Sequence, residues 1–297
     1  MNDLTPGIGS LRTENEPSKT PIQNPNHLTR AQVEYHIGLL GSKLILDAKD
    51  LQGEDLSGLN LSGTSFNLAN LSHTKLTGCN LQYSYFNKAT IVNSNLEKAN
   101  LGGAYLNNVS LQDSDLSGTI LHSAKLIDAD LINSILIAAN LQNINAERAN
   151  FTKSIMKEAN FHNGIFKEGI FIETNLEKAT QKDYSSKVYF NKAKFNYAIL
   201  DFANLKNADF SGAELEGATL KHTDLADCGF QHANFSNANL ENANLSGANA
   251  EYANFCGAIL IGVNFRGAKL RGAKYDNKTI WPPEVIPSIF GAVLVEE

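Results

Sequence analysis

The chain has 297 residues, 31 acidic against 25 basic, with a net charge of −6 and a pI near 5.7. That balance argues against general nucleic-acid binding, which needs a basic footprint. No apolar run reaches the ~18 residues of a membrane span, and three widely spaced cysteines build neither a disulfide framework nor a zinc spacing.

In chain order, residues 1–26 are polar, carry Pro6, Pro17, Pro21 and Pro25, and lack the apolar core of a signal peptide. They read as a disordered tail on a soluble, cytoplasmic protein. Residues 27–45 read as a capping helix. Thr29 is a good N-cap with Gln32 three residues on, and Leu28 and Val33 are placed for a hydrophobic staple. Val33, Ile37 and Leu40 then form an apolar stripe that would sit over the first coil of the next segment.

From residue 47 the chain is a repeat. Starting at Leu51, every fifth residue is apolar as far as Leu176, and all but one are large: of 26 positions, 23 are Leu or Phe, the others being Ile91, Ala146 and Met156. A second walk from Phe190 to Ile280 has 19 positions, 16 of them Leu or Phe. A period of five suits neither regular element. In an α-helix it moves the apolar residue ~140° around the surface each time, and in a straight strand an odd step flips it to the other face. Each repeat therefore needs a corner, so that its central residue points inward again, and such coils stack into a solenoid.

Two residues before each centre stands a small side chain. It is Ala at 14 of 19 places in the second block, and small at 22 of 26 in the first. One large and one small residue per repeat can fill a narrow interior at crystal-like density, where two large ones cannot. The residue just before the centre is often Asn or Asp, as in Ala69-Asn70-Leu71 and Ala253-Asn254-Phe255, and such side chains bond nearby backbone at tight corners.

These residues resemble the pentapeptide-repeat family, with its A-(N/D)-L-x-x pattern, over residues 47–281, and the Ala-Asn-Leu bias looks like its cyanobacterial members. The resemblance implies an all-β fold, a right-handed quadrilateral parallel β-helix of four repeats per coil, here about 11 coils with a short N-terminal capping helix. Twenty residues per coil would place Asn60, Asn80, Asn100, Asn140 and Asn160 in one column and Asn204, Asp224, Asn244 and Asn264 in another. Phe151 would sit below Phe171.

The phase slips once, since Leu176 and Phe190 are 14 residues apart. Two degraded repeats plus a four-residue insertion would fit. The organisation is then block 1 at 46–178, a phase-shift loop at 179–189, block 2 at 190–281 and a C-terminal cap at 282–297. Tyr184, Ser185, Ser186 and Lys187 are the candidate partner-contact residues, because irregular loops on rigid scaffolds often carry binding. At the C-terminus, Tyr275-Asp276-Asn277-Lys278-Thr279-Ile280-Trp281-Pro282 resembles the Y-D-x-x-T-x-(F/W)-P exit of the family. Trp281 and the tail from Val285 to Val295 are expected to plug the last coil, with a homodimer surface as the alternative.

Candidate chemistry is sparse. His73, His122, His162, His222 and His232 fall at outward positions and read as surface residues, Cys79 and Cys228 as core and Cys256 as a surface thiol. Carboxylate pairs such as Asp113/Asp115 and Glu214/Glu216 read as solvated surface. No catalytic residue, metal site or cofactor is expected, nor a ligand-sized pocket in the packed interior. The expectation is a non-catalytic protein-interaction scaffold with an unidentified protein partner and no direct nucleic-acid binding. The alternative, implied by the family, is a DNA mimic that binds DNA gyrase or topoisomerase and modulates it or protects it from quinolones. Asp201 to Glu251 carry eight acidic and two basic residues, but folding by 20 disperses them.

Overall fold

The computed structural model describes residues 24–41, 44–181 and 187–296. Most of the expected disordered tail, and Tyr184, Ser185 and Ser186 of the candidate contact loop, lie outside them.

One α-helix, α1 (Arg30–Leu40), precedes the repeats. Its start is fixed by a capping box: Gln32 N–H donates to Thr29 Oγ1 at 3.4 Å, and Thr29 N–H donates to Gln32 Oε1 at 2.8 Å. Val33 is fully buried against the repeats, with Leu28 and Ile37 packed beside it. Leu40 is not part of that contact. It is 49% exposed, because Gly41 ends the helix there and turns the chain away.

From Ile45 onward the backbone forms four parallel ladders of single bridges, one bridge every fifth residue, joining residues 20 apart except at the phase slip and at the last bridge, Ile259 to Ile280. The first runs Asp50, Asn70, Thr90, Ser110; the second starts at Asp55, the third at Asn60 and the fourth at Ile45, which pairs with Ser65. Each coil thus has four sides. The bonds are regular: Leu51 N–H donates up to Asn70 O at 2.8 Å, and Asn70 N–H donates down to Lys49 O at 2.9 Å.

Each corner is a turn, closed for example by Glu54 N–H on Leu51 O at 3.2 Å. The residue two after the centre carries the left-handed backbone, with φ of +58° at Tyr83 and Lys88 and +60° at Phe202. Among the described residues, none of the non-glycine positions with positive φ is Val, Ile or Thr, since a branched Cβ crowds this conformation most. The Asn or Asp before the centre braces the next turn instead. Asn100 Oδ1 accepts Gly102 N–H at 3.0 Å and Asp115 Oδ1 accepts Ser117 N–H at 2.9 Å.

The central side chains fill the axis, and twelve phenylalanines are among the largest fully buried residues. Phe151, Phe171 and Phe195 stack at 5.0 and 4.6 Å between ring centroids, and Phe166, Phe190, Phe210 and Phe230 at 5.3, 4.9 and 5.2 Å. The asparagine column appears as expected: Asn80 Nδ2 donates to Asn60 Oδ1 at 3.0 Å. The two expected columns are one, because Thr180 bridges both Asn160 and Asn204.

That join spans the phase slip. Ile165 pairs with Tyr189, Ile170 with Lys194 and Asn175 with Ile199, all 24 apart instead of 20. Gln181 takes the inward central place after Leu176 and is buried, and Val188 is buried two residues before Phe190. The extra four residues therefore fall between Gln181 and Lys187 without breaking any ladder.

At the C-terminus two short strands, β1 (Lys274–Tyr275) and β2 (Val293–Leu294), pair in parallel. Trp281 packs near Phe255, Phe265 and Tyr275. The tail closes the end only in part. Ala292 is buried, but Ile286, Val293 and Leu294 are about half exposed or more and Ile289 is 76% exposed, because β2 extends one side of the coil and does not cross its mouth.

Candidate functional site

With the axis filled by side chains, the chemistry available to a partner lies on the four sides, the corners and the two ends. On the fourth side, Tyr85 and Tyr105 stack at 4.9 Å, 8° from parallel, and Lys125 Nζ stands 4.7 Å from the Tyr105 ring centre. Tyr83, at the adjoining corner, is 61% exposed and its ring lies over Gly103, where a Cβ would meet it at 2.6 Å. Sequence reasoning missed this patch. The signal is in the order itself, Tyr85 and Tyr105 spaced by one coil with Tyr83 two residues before. Corner stacks recur farther along, Phe202 on His222 at 5.0 Å and His232 on Tyr252 at 5.3 Å.

Of the candidate loop, Lys187 is described. Its Nζ lies 3.5 Å from Asp209 Oδ2. Burial pushes the Asp209 carboxyl up, but hydrogen bonds from Ser211 and Asn191, with Lys187 beside it, outweigh that and hold it below the ordinary value. Lys167 Nζ sits 5.5 Å from the ring of Tyr189 on the same side. Lys187 is thus engaged with the rod next to the insertion.

His162 departs from its surface reading. It faces outward, yet it is only 9% exposed and its Nδ1 has no hydrogen-bond partner among the described residues. Cys79 and Cys228 occupy the small inward site and donate to Leu56 O at 3.0 Å and Leu205 O at 3.1 Å. Burial pushes the Cys79 thiol up to about 11 and raises Cys228 as well, so neither is a ready nucleophile. Cys256 is partly exposed, and desolvation raises it too.

Among the described residues, no group of three or more His, Cys, Asp or Glu is placed to hold a metal ion, and no helix is long and apolar enough to cross a membrane. A cleft of about 370 Å³, a volume in the range of small-molecule sites, opens at the N-terminal end between Asn24, His27, Thr29, Gln32 and Asp50. It lies outside the packed interior. His27 Nε2 there is 3.1 Å from Glu54 Oε1.

The acidic stretch after the insertion is spread around the rod. Asp209, Glu214 and Asp224 lie on three different ladders, while Asp227 stands at a corner, its Oδ2 3.8 Å from Lys206 Nζ.

Four parallel ladders of single bridges around a filled axis define a solenoid of stacked five-residue repeats. The chain belongs to the family described as Pentapeptide repeats, which matches in eight copies at residues 50–82, 84–122, 99–136, 124–163, 134–171, 186–221, 203–242 and 238–274, and whose members fold as right-handed β-helices. No curated protein matches. Among solved structures it is similar to HetL, a pentapeptide repeat protein involved in heterocyst differentiation regulation from the cyanobacterium Nostoc sp. strain PCC 7120. That match has 24% identity, covers 88% of this chain and 100% of that one, and has a TM-score of 0.35. It is also similar to alr5209, a pentapeptide repeat protein from Nostoc PCC 7120, at 32% identity over 36% of this chain and 84% of that one, with a TM-score of 0.23. A third is QnrB1, a plasmid-mediated fluoroquinolone resistance protein, at 20% identity over 63% and 90%, with a TM-score of 0.40.

Proposed function

We propose that this chain is a non-catalytic interaction scaffold, a stiff rod of about 11 coils with α1 as its cap, acting in the cytoplasm through its outer surface. The observation that carries this reading is the contrast between inside and outside. Central side chains from Leu51 to Leu260 are fully buried or nearly so, while the sides expose aromatic and charged groups held in fixed register. Tyrosine is enriched where proteins meet, so the patch of Tyr83, Tyr85 and Tyr105 is the first surface to test. Affinity capture from the native cell should use the full chain beside the Y83A/Y85A/Y105A variant. A partner held by the first and lost by the second, with equal thermal stability of the two baits, supports the reading. Substrate turnover by the purified chain would sink it.

The second reading is a DNA mimic acting on a type II topoisomerase. The net −6 of residues 201–251 favours it, and the spread of those carboxylates over several sides weighs against it, since a duplex mimic needs aligned charge. Inhibition or quinolone protection in a gyrase supercoiling assay at low micromolar protein would promote it. A homodimer through the exposed apolar tail is a further proposal, measurable by sedimentation.

A further inference from the structure

The last coil closes its own backbone edge on two sides and leaves it open on the other two. On the first side, Gly272 N–H donates to Gly291 O at 2.7 Å, and Val293 N–H and Val295 N–H donate to Ala273 O and Tyr275 O at 2.7 and 2.8 Å. On the second side, Leu260 N–H donates to Ile280 O at 2.8 Å.

The third and fourth sides receive no such layer. One coil below, Asn242, Leu245, Gly247 and Ala250 donate their N–H upward to Ile261 O, Asn264 O, Arg266 O and Lys269 O at 2.8–2.9 Å. The equivalent donors of the last coil, Gly262, Phe265, Gly267 and Leu270, have no acceptor among the described residues. The matching acceptors, Val263 O and Ala268 O, receive no donor among the described residues, although Ala243 O and Ala248 O below them accept Asn264 N–H and Lys269 N–H at 3.0 and 2.9 Å.

The side chains along this edge are cationic. Arg266, Lys269 and Arg271 are exposed and make no ion pair among the described residues. Elsewhere on the rod, cations are commonly matched, as Arg148 is by Asp128 at 2.7 Å and Lys157 by Glu177 at 2.8 Å, each one coil away. A strand added one layer above Arg266, Lys269 and Arg271 would place its outward side chains ~4.8 Å from theirs. Acidic residues there would complete the pattern found along the rod, with charge-assisted bonds.

We propose that the open edge on the third and fourth sides of the last coil docks an acidic, extended segment of a partner protein, added as one more parallel layer. This is strand addition, in which main-chain bonds supply affinity and alternate side chains supply specificity. β2 is the precedent within the molecule, since it makes the same kind of layer on the neighbouring side. The proposal rests on the scaffold reading and names the chemistry of its partner. Lys and Arg also deter edge-to-edge aggregation, and the experiment separates that role from docking.

The probes are fluorescein-labelled peptides of five Glu-Val repeats, five Lys-Val repeats and five Glu-Pro repeats, the last lacking every second amide N–H. The expected result is saturable binding of the Glu-Val peptide that weakens with salt, with slowed hydrogen exchange at Gly262, Phe265, Gly267 and Leu270. Binding should fall at least tenfold in R266E/K269E/R271E, at unchanged thermal stability, and at least tenfold with the Lys-Val or Glu-Pro peptide. Equal binding of all three peptides, or no slowing at those four amides, overturns the proposal. Slow exchange at the four amides in the free rod also overturns it, pointing to the chain's own residues when independent of concentration and to a second copy when not. Should a partner captured by the full chain bind R266E/K269E/R271E undiminished, the edge assignment fails and the scaffold reading stands.

Discussion

Before the insertion the small inward site holds Ser or Thr nine times; after it, Thr223 is the one such residue and alanine dominates. Both fillings bury completely. The hydroxyls are tolerated because the interior offers acceptors, although Ser154 Oγ finds no partner among the described residues. Ser84, Ser94, Ser114 and Thr174 donate across one coil to the carbonyls of Leu61, Leu71, Ile91 and Phe151 at 2.5–3.0 Å, whereas Thr119 and Ser134 donate within their own coil to Leu116 and Leu131 at 2.8 and 2.6 Å. Thr223 repeats the cross-coil bond to Leu200 at 2.9 Å. The central carbonyl already accepts the turn N–H and has a second lone pair facing the axis. The site therefore selects for volume, not apolarity, and the two halves are two solutions of one packing problem.

The hardest test of that equivalence is a charge on the axis in each half. Leu131→Asp and Leu240→Asp should each cost at least ~3–4 kcal/mol, read by urea denaturation. If the halves are equivalent the losses match. If stability is local to repeats, each variant splits the transition at its own half. Stability equal to wild type would remove the inward assignment of these leucines.

A smaller effect is expected where the small site shrinks to glycine. A Cβ on Gly164 would stand 2.4 Å from Phe166 Cε2, and one on Gly169 3.0 Å from Phe171 Cε2. There the consecutive centres Phe161, Phe166 and Phe171 crowd the axis, so Gly164→Ala should destabilise by ~1–3 kcal/mol through overpacking. Thermal melts check it, and a neutral result would mean that the Phe166 ring swings aside at little cost.

Much of this was legible in the amino-acid order, because a period of five permits only a cornered coil and because each buried centre repeats the same signal. Gly164 and Gly169 could be placed at the small site but not explained, since the size of the gap depends on rings from neighbouring coils. The left-handed corner residues were harder still. Lys88, Tyr83 and Phe202 share no chemistry, only the lack of a branched Cβ, so composition gives no hint of their backbone. The open edge at Phe265 and Leu270 was out of reach for another reason, since it is a fact about what does not lie one layer above among the described residues, where the repeat has ended.

The hydroxyl bonds give a finer comparison. Ser114→Ala removes the bond to Ile91 O, made at 2.6 Å, and the acceptor for Ser94 N–H at 3.0 Å. It should cost ~0.5–1.5 kcal/mol. The reverse change in the other half, Ala238→Ser, should be nearly neutral, because the cross-coil relation places the carbonyl of Leu215 where Ser84 finds that of Leu61. A clear loss at Ala238→Ser would show that the second half is packed too tightly to accept an oxygen.

The smallest expected effect distinguishes how the halves end, and it appears only in acid. Block 1 begins under a helix, whereas block 2 ends on a carboxylate. Asp276 Oδ1 accepts Gly257 N–H at 2.9 Å, Lys278 N–H at 3.0 Å and Thr279 N–H at 3.0 Å, and Thr279 Oγ1 reaches Phe255 O at 2.9 Å. Desolvation pushes this carboxyl up, but the bonds from Gly257, Thr279 and Lys278 prevail and hold it below its ordinary 3.8. A folded-state value depressed in this way contributes stability that is complete above the unfolded value and is lost as pH falls through the folded one. Protection of Gly257, Lys278 and Thr279 from hydrogen exchange, taken relative to amides of α1 so that the intrinsic pH dependence cancels, should therefore be constant above about pH 5 and fall, a relative quickening, as the pH drops below 3.8. In Asp276→Asn, which keeps one acceptor oxygen and cannot titrate, that relative quickening should vanish. If it persists in Asp276→Asn, the acid sensitivity of this end belongs to another group and the carboxylate is not what secures it.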